Sequence, residues 1–207
     1  MCLPIELIDY IISLTDLETA IKLKNTYAIN KLYNSELHTW RWAARNGQLE
    51  IIKWLHAERK TGCTNWAMDS AATYGHLEVV KFLHKNRTEG CTKSAMDYAA
   101  VNAHLEVIKW LHENRTEGCT TSAMDYAAEN GHLEVIKWLH AERIEGCTTH
   151  AMDYAAYKGY LEVVKWLNKN RMEGCTIFAM DHAAQNGYLE VIKWLTKIEQ
   201  KDVQLMQ

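Results

Sequence analysis

The chain has 207 residues, 48% of them hydrophobic, and a formal net charge of -3. This leaves enough apolar material for a buried core and no global basic field of the kind that nucleic-acid binding requires. A single proline, Pro4, occurs in the whole chain, which suits uninterrupted helices.

In chain order, the first apolar stretch is LPIELIDYIISL, from Leu3 to Leu14. Glu6 and Asp9 interrupt it and no basic segment leads it. It is too short and too acidic for a signal peptide or a membrane span, so a cytoplasmic or nuclear protein is expected. Residues 1–38 read as an N-terminal helical segment, residues 39–199 as an array of repeats, and residues 200–207 as a tail.

The array is visible in its spacing. Gly62-Cys63, Gly90-Cys91, Gly118-Cys119, Gly146-Cys147 and Gly174-Cys175 follow one another at a constant step of 28 residues. A fixed period of this length means stacked supersecondary units that share a core. The clearest copy is GCTTSAMDYAAENGHLEVIKWLHAER, Gly118 to Arg143, and the kernel WAARNGQLEIIKWL repeats it upstream from Trp42 to Leu55. About six units result, running from Thr39 to Glu199.

Each unit predicts two helices. The first runs from about Thr121 to Glu129, with Thr120 as N-cap and Thr64, Thr92, Thr148 and Thr176 in the same place elsewhere. Ser122 stands three residues before Asp125, the spacing of a capping box. Asn130-Gly131 closes the helix, glycine supplying the left-handed residue. The small pair Ala127-Ala128 permits close helix approach, and Met124 supplies the larger apolar knob. In the second helix Leu133, Ile136 and Leu139 share a face that Val135 extends. Glu134 and Lys137 form a solvated pair at helical spacing. Trp54, Trp110, Trp138, Trp166 and Trp194 recur almost without variation and are expected to pack. Ala103 occupies the turn position that is glycine in the other units, so an alanine in the left-handed region is expected there.

Nothing in the chain carries a recognisable catalytic or metal motif. Equivalent cysteines would stand roughly 10 Å apart along a stack. That separation suits neither a disulfide nor a shared zinc, and small buried hydrophobes are expected instead. His76/His84, His104/His112 and His132/His140 are each eight residues apart, which on one helix is about 12 Å of rise and too far to share an ion. Asp69, Asp97, Asp125, Asp153 and Asp181 form a row that reads as a helix-start or inter-repeat hydrogen-bonding device. An active site needs one distinctive constellation, and the chain offers repetition. No enzyme activity, cofactor or metal is expected.

The segment AAENGHLEVIKWL resembles the ankyrin repeat, with its alanine pair, glycine-histidine turn and following apolar helix. His76, His104 and His132 match the family's histidine, and Tyr160 and Tyr188 replace it later. The resemblance implies an all-α, ankyrin-like α-solenoid of helix-turn-helix repeats beneath an N-terminal helical cap. Ser122-Ala123-Met124-Asp125 stands in place of the family's threonine-proline-leucine-histidine. The period of 28 is also shorter than the usual one of about 33, so the projecting hairpin fingers should be reduced or absent. This short variant is similar to the ankyrin arrays of large DNA viruses. Upstream, Leu3-Pro4-Ile5-Glu6-Leu7 resembles the opening of an F-box. That resemblance implies docking of residues 3–21 on the linker subunit of a cullin-type ubiquitin ligase, through Leu3, Pro4, Glu6 and Leu7. The other reading of the segment is a cap over the first repeat's core.

Function is sought where residues vary inside a constant frame. Such positions are Asn65-Trp66, Lys93-Ser94, Thr121-Ser122, Thr149-His150 and Ile177-Phe178 before the alanine-methionine step. Trp42, Ser70, Tyr98, Tyr126, Tyr154 and His182 precede the alanine pair, and Arg45, Tyr74, Val101, Glu129, Tyr157 and Gln185 follow it. In ankyrin proteins this flank of the first helix lies on the concave recognition surface. The candidates for contact with a protein partner are therefore Trp66, Tyr74, Tyr98, Tyr126, His150, Tyr154, Tyr157, Phe178 and His182. The row Tyr98, Tyr126, Tyr154 leads, since tyrosine combines contact area with a polar tip; the alternative is that these rings stack on one another. A monomeric, non-catalytic scaffold is expected. A structural or decoy repeat protein without a dedicated partner, or an enzyme with a cryptic site, are the other readings.

Overall fold

The computed structural model describes residues 36–58 and 62–205. Leu3, Pro4, Glu6 and Leu7, and with them the F-box or cap reading, lie outside the described residues. The chain forms two compact units, Met1–Thr92 and Lys93–Gln207.

The first unit holds the helix pairs α1 (Glu36–Arg45) with α2 (Leu49–Glu58) and α3 (Asn65–Thr73) with α4 (Leu77–Asn86). The second holds α5 (Lys93–Val101) with α6 (Leu105–Asn114), α7 (Ser122–Glu129) with α8 (Leu133–Glu142), α9 (Thr149–Tyr157) with α10 (Leu161–Asn170), and α11 (Ile177–Gln185) with α12 (Leu189–Leu205). No strand occurs among the described residues. The architecture is all-α, built of stacked helix pairs, as the resemblance to ankyrin repeats implies. Residues 143–148, which join one pair to the next, carry no hairpin finger.

Helices of 8 to 10 residues, the length of eleven of the twelve, are marginal alone in water. They are held by burial. Ala127 and Ala128 are fully buried, with Met124, Val135, Ile136 and Leu139. The alanine pairs let first helices pack on first helices, α1 on α3 in one unit and α5, α7, α9 and α11 successively in the other. Leu133 is only half-buried, so the inner stripe of the second helix is Val135, Ile136 and Leu139.

The turn between the helices of a pair forms as its glycine requires. In the fourth pair Gly131 has φ +77°, and the amides of Gly131 and His132 donate to Ala128 O and Ala127 O at 3.1 and 2.8 Å. Ala103 makes the same turn at φ +58°, the one non-glycine residue with positive φ among the described residues. The left-handed region costs an alanine more than glycine's extra freedom costs the folded state. Ala103→Gly is therefore expected to stabilise the protein by about 0.5–1 kcal/mol, read as a higher urea midpoint. A lower midpoint would mean that the unfolded-state term dominates at this turn.

The aspartate row ties four of the first helices to the threonine that follows 23 residues on. Asp125 Oδ1 accepts from the Thr148 amide at 2.8 Å and its Oδ2 from the Thr148 hydroxyl at 3.0 Å. Asp69 with Thr92, Asp97 with Thr120 and Asp153 with Thr176 repeat both bonds. This corrects the capping-box reading: Asp125 is committed to the following repeat and does not reach back to Ser122. The threonine caps hold in part. Thr120, Thr148 and Thr176 hydroxyls accept from the amides of Ser122, His150 and Phe178, while the Thr64 side chain makes no cap bond.

The family histidine spans two repeats. His76 Nε2 lies 2.9 Å from Arg45 O, and His132 Nε2 lies 2.9 Å from Val101 O. Tyr160 takes this place one repeat later, its ring so close to Gly131 that a Cβ there would meet it at 2.9 Å.

Candidate interaction surface

Three kinds of side chain remain once the core is removed: a ring ladder on the second helices, an ionic clasp in the loops, and an aromatic face on the first helices.

The ladder is structural. The His112 ring meets Trp138 edge-on at 5.3 Å, and His140 meets Trp166 in the same way at 5.2 Å. In the first unit Phe82 takes the tryptophan's place against His56, at 5.7 Å. The expected packing of the repeated tryptophans is met at Trp138 and Trp166, and all five are half-buried rather than enclosed. Outside the ladder, Lys137 reaches Glu134 at 2.7 Å and the pair recurs along the second helices. These pairs are solvent-facing and contribute only tenths of a kcal/mol each.

The clasp was not foreseen from the sequence. After the second helix, Arg143 forks onto Glu145, and its Nη1 lies 3.2 Å from His112 Nδ1. Arg171 repeats the arrangement with Glu173 and with His140 at 3.4 Å. Arg87 pairs with Glu89, but its guanidinium also lies 5.2 Å from the buried Trp40 ring, and His56 Nδ1 has no protein partner. Each clasp covers the cysteine that stands 24 residues earlier. Burial, with smaller charge effects from the clasp, pushes the Cys63, Cys119 and Cys147 thiols up to about 11. They stay protonated at neutral pH and are poor nucleophiles. Cys119 and Cys147 are buried as expected, and Cys63 and Cys91 partly so. Cys175 departs from the expectation and is exposed; in the sequence no arginine stands 24 residues beyond it. Among the described residues no group of three histidine, cysteine or carboxylate side chains is placed to hold a metal.

The aromatic face carries the sequence-based candidates. Tyr98, Tyr126 and Tyr154 occupy one position on α5, α7 and α9, helices that pack side by side. They are 49%, 40% and 41% exposed, and no ring–ring contact joins one of the three to another among the described residues. The row is thus displayed and not consumed in mutual stacking. Tyr126 and Tyr154 line one recess of about 280 Å³ with Ser122, Asp125, Glu129 and His150. A second recess of about 240 Å³ lies between α9 and α11, lined by His150, Asp153, Tyr154, Phe178 and His182. Tyr157 joins this cluster through Tyr154 at 6.4 Å and His182 at 5.4 Å.

Trp66 and Tyr74 lie in the first unit and are already engaged. The Arg41 guanidinium is 4.9 Å from the Trp66 ring centroid, and that of Arg45 is 4.8 Å from Tyr74. Tyr74 also requires a change of register. It is the C-cap residue after α3, the position of Asn130 after α7, so Thr73 is the true equivalent of Glu129 and Tyr157. The recess-lining carboxylates Asp125 and Asp153 were not expected on the surface; Glu129 was expected on that flank but not among the partner contacts.

No described helix is long and apolar enough to cross a membrane. A comparison with curated proteins finds no match. Models of ankyrin repeats (many copies) match residues 41–84, 68–112 and 96–140, and a model of ankyrin repeats (3 copies) matches residues 124–206. With the paired helices, left-handed turns and histidine bridges that the structure shows, these matches place most of the chain in one family: it belongs to the ankyrin-repeat proteins.

Proposed function

We propose that the protein is a non-catalytic scaffold that holds a protein partner on the first-helix face of its second unit. Ankyrin repeats are in general protein-binding modules, and this supports the class of function. The observation that carries the location is the row of displayed rings, Tyr98, Tyr126 and Tyr154, continued by the recess at His150, Phe178 and His182. Rings this exposed contribute little to the fold and much to a contact, because aromatic anchors dominate interface energies. Trp66 and Tyr74 belong to the same proposal for the first unit, with arginine-covered rings as the contact. A reducing compartment, cytoplasm or nucleus, suits the free thiols.

Selection from a displayed peptide library against the intact chain tests this reading. The variant Tyr98→Ala/Tyr126→Ala/Tyr154→Ala should keep its helical circular dichroism and bind the selected peptides at least tenfold more weakly, a loss of about 1.4 kcal/mol. Lys137→Ala/Lys165→Ala, on the second helices, should bind as the parent does. Equal binding by the tyrosine variant would place the docking face elsewhere.

A finer proposal is that the scaffold is a substrate adaptor for a cullin-type ligase. The motif Leu3-Pro4-Ile5-Glu6 supports it. Purified linker subunit should bind the full chain, and Leu3→Ala/Pro4→Ala should abolish binding; no binding by the parent chain removes the adaptor role and leaves the scaffold.

A further inference from the structure

The repeat permits the same site to be compared at two places in one chain. Trp66 and Phe178 are equivalent residues, four periods of 28 apart, and so are Arg41 and Asp153. In the first unit this pair of positions makes a cation–ring contact, Arg41 lying over Trp66 at 4.9 Å. In the second unit the ring is kept and the cation is exchanged for a carboxylate. Phe178 is 55% exposed and shares its recess with Asp153, His150, Tyr154 and His182.

The recess is held open by its own rings. Phe178 lies tilted on His182 at 5.7 Å, and Tyr154 meets His150 edge-on at 5.7 Å. Asp153 is buried at the wall and fixed by its two bonds from Thr176 at 2.8 and 2.9 Å. A carboxylate has about four acceptor sites, so it retains capacity for a further donor. The adjoining recess shares His150 and Tyr154 and adds Asp125 and Glu129. The formal charges lining the two recesses are therefore all negative. Lys158 lies over the Tyr157 ring at 5.3 Å, on the flank of the cluster.

We propose that this recess takes the guanidinium of an arginine side chain from the partner, stacked on Phe178 and Tyr154 and hydrogen-bonded to Asp153. The inference rests on the first-helix face being the docking face and names the chemistry it selects. Two properties favour arginine over lysine. A guanidinium is planar and weakly hydrated, so it stacks on rings at small desolvation cost, and its fork can donate to a carboxylate while stacked. The partner's arginine supplies in the second unit what Arg41 supplies internally in the first.

Amide-resolved NMR titration of the full chain with N-acetyl-arginine methylamide tests the proposal, with the citrulline and lysine analogues as controls. The arginine probe is expected to give saturable shifts confined to His150, Asp153, Tyr154, Phe178 and His182, and to bind at least fivefold more tightly than either control. Phe178→Ala, a change at an exposed ring that leaves the core intact, should weaken arginine binding at least fivefold, and Lys137→Ala, on a second helix, should leave it unchanged. Absence of saturable shifts, equal binding of citrulline or lysine, or unchanged binding by Phe178→Ala would each overturn the proposal. If the arginine probe fails while the triple tyrosine variant loses its selected peptides, only this inference falls. If the tyrosine variant keeps them, the docking face itself is misplaced.

Discussion

Asp125→Ala is expected to lower the unfolding free energy by about 2–4 kcal/mol, through the loss of two hydrogen bonds to a charged group and the stranding of a part-buried amide. The carboxylate joins α7 to the first residues of the next repeat, accepting from both the amide and the hydroxyl of Thr148. The Thr148 hydroxyl in turn accepts from the His150 amide and so starts α9. One side chain thus couples a repeat interface to a helix start. Burial raises the Asp125 carboxyl above its ordinary value, against the opposing bonds from Thr148. For an acid raised in the folded state the associated stability is greatest at low pH and declines as pH rises through the folded value. Charge on Asp125 is therefore a cost at neutral pH, only partly offset by the bonds it makes. Asp125→Asn, which removes the charge and retains the shape, should cost about half as much as Asp125→Ala. Asp181 is the natural control. It occupies the same place on α11 but is exposed, and Asp181→Ala should shift the urea midpoint by less than about 0.5 kcal/mol equivalent. Similar losses at both positions would show that the aspartates act on their own helices and not across the interface.

Arg143→Ala is expected to cost about 1–3 kcal/mol. Exposed ion pairs are worth less than this, but the Arg143 and Glu145 side chains are only 22% and 23% exposed. The guanidinium also serves more than its acid. It reaches His112 Nδ1 at 3.2 Å and covers Gly118, where a Cβ would meet its Nη2 at 2.5 Å. Removing it leaves Glu145 half-enclosed without its cation and opens the cover over Cys119. Burial alone would raise Glu145; the Arg143 hydrogen bond, the backbone bonds and the Arg143 charge together hold it below the usual glutamate range. For an acid lowered in the folded state, the stabilisation is present above the unfolded value and is lost as pH falls through the folded one. The difference between parent and Arg143→Ala should accordingly narrow below about pH 4. Urea unfolding at neutral and acid pH checks this. A constant difference at both would assign the loss to packing and not to the ion pair. Arg143→Lys keeps the charge without the fork and should recover less than half of the loss.

The fold was legible because its evidence is local and repeated. Gly131 and its equivalents, the alanine pairs and the Glu134–Lys137 spacing each mark a feature completed within one helix pair, and copies at a constant step reinforce one another. Ala103 was legible for the same reason, as a departure from a strict pattern. The errors occurred where a pattern within one repeat resembled a motif that the folded chain uses across two. Ser122 and Asp125 have the spacing of a capping box, yet Asp125 bonds 23 residues onward. Tyr74 follows an alanine pair as Tyr157 does, but one residue later, and the end of α3 decides its role. Arg143 and Glu145 look like two loop charges until their partner cysteine and histidine are placed beside them.

The candidate surface divides in the same way. Variation within the constant frame points to Tyr98, Tyr126, Tyr154, Phe178 and His182 from the sequence alone, because side chains not needed for stacking are free to differ. That these rings are displayed, that Asp153 stands in the same recess as Phe178, and that Trp66 is already covered by Arg41 depend on distances between repeats. The sequence by itself determined the helix pairs, their turns and their number, since backbone preference and apolar periodicity act over a few neighbouring residues. Tertiary structure decided which polar groups meet, since a partner 23 to 31 residues away is selected only when stacking brings equivalent helices side by side.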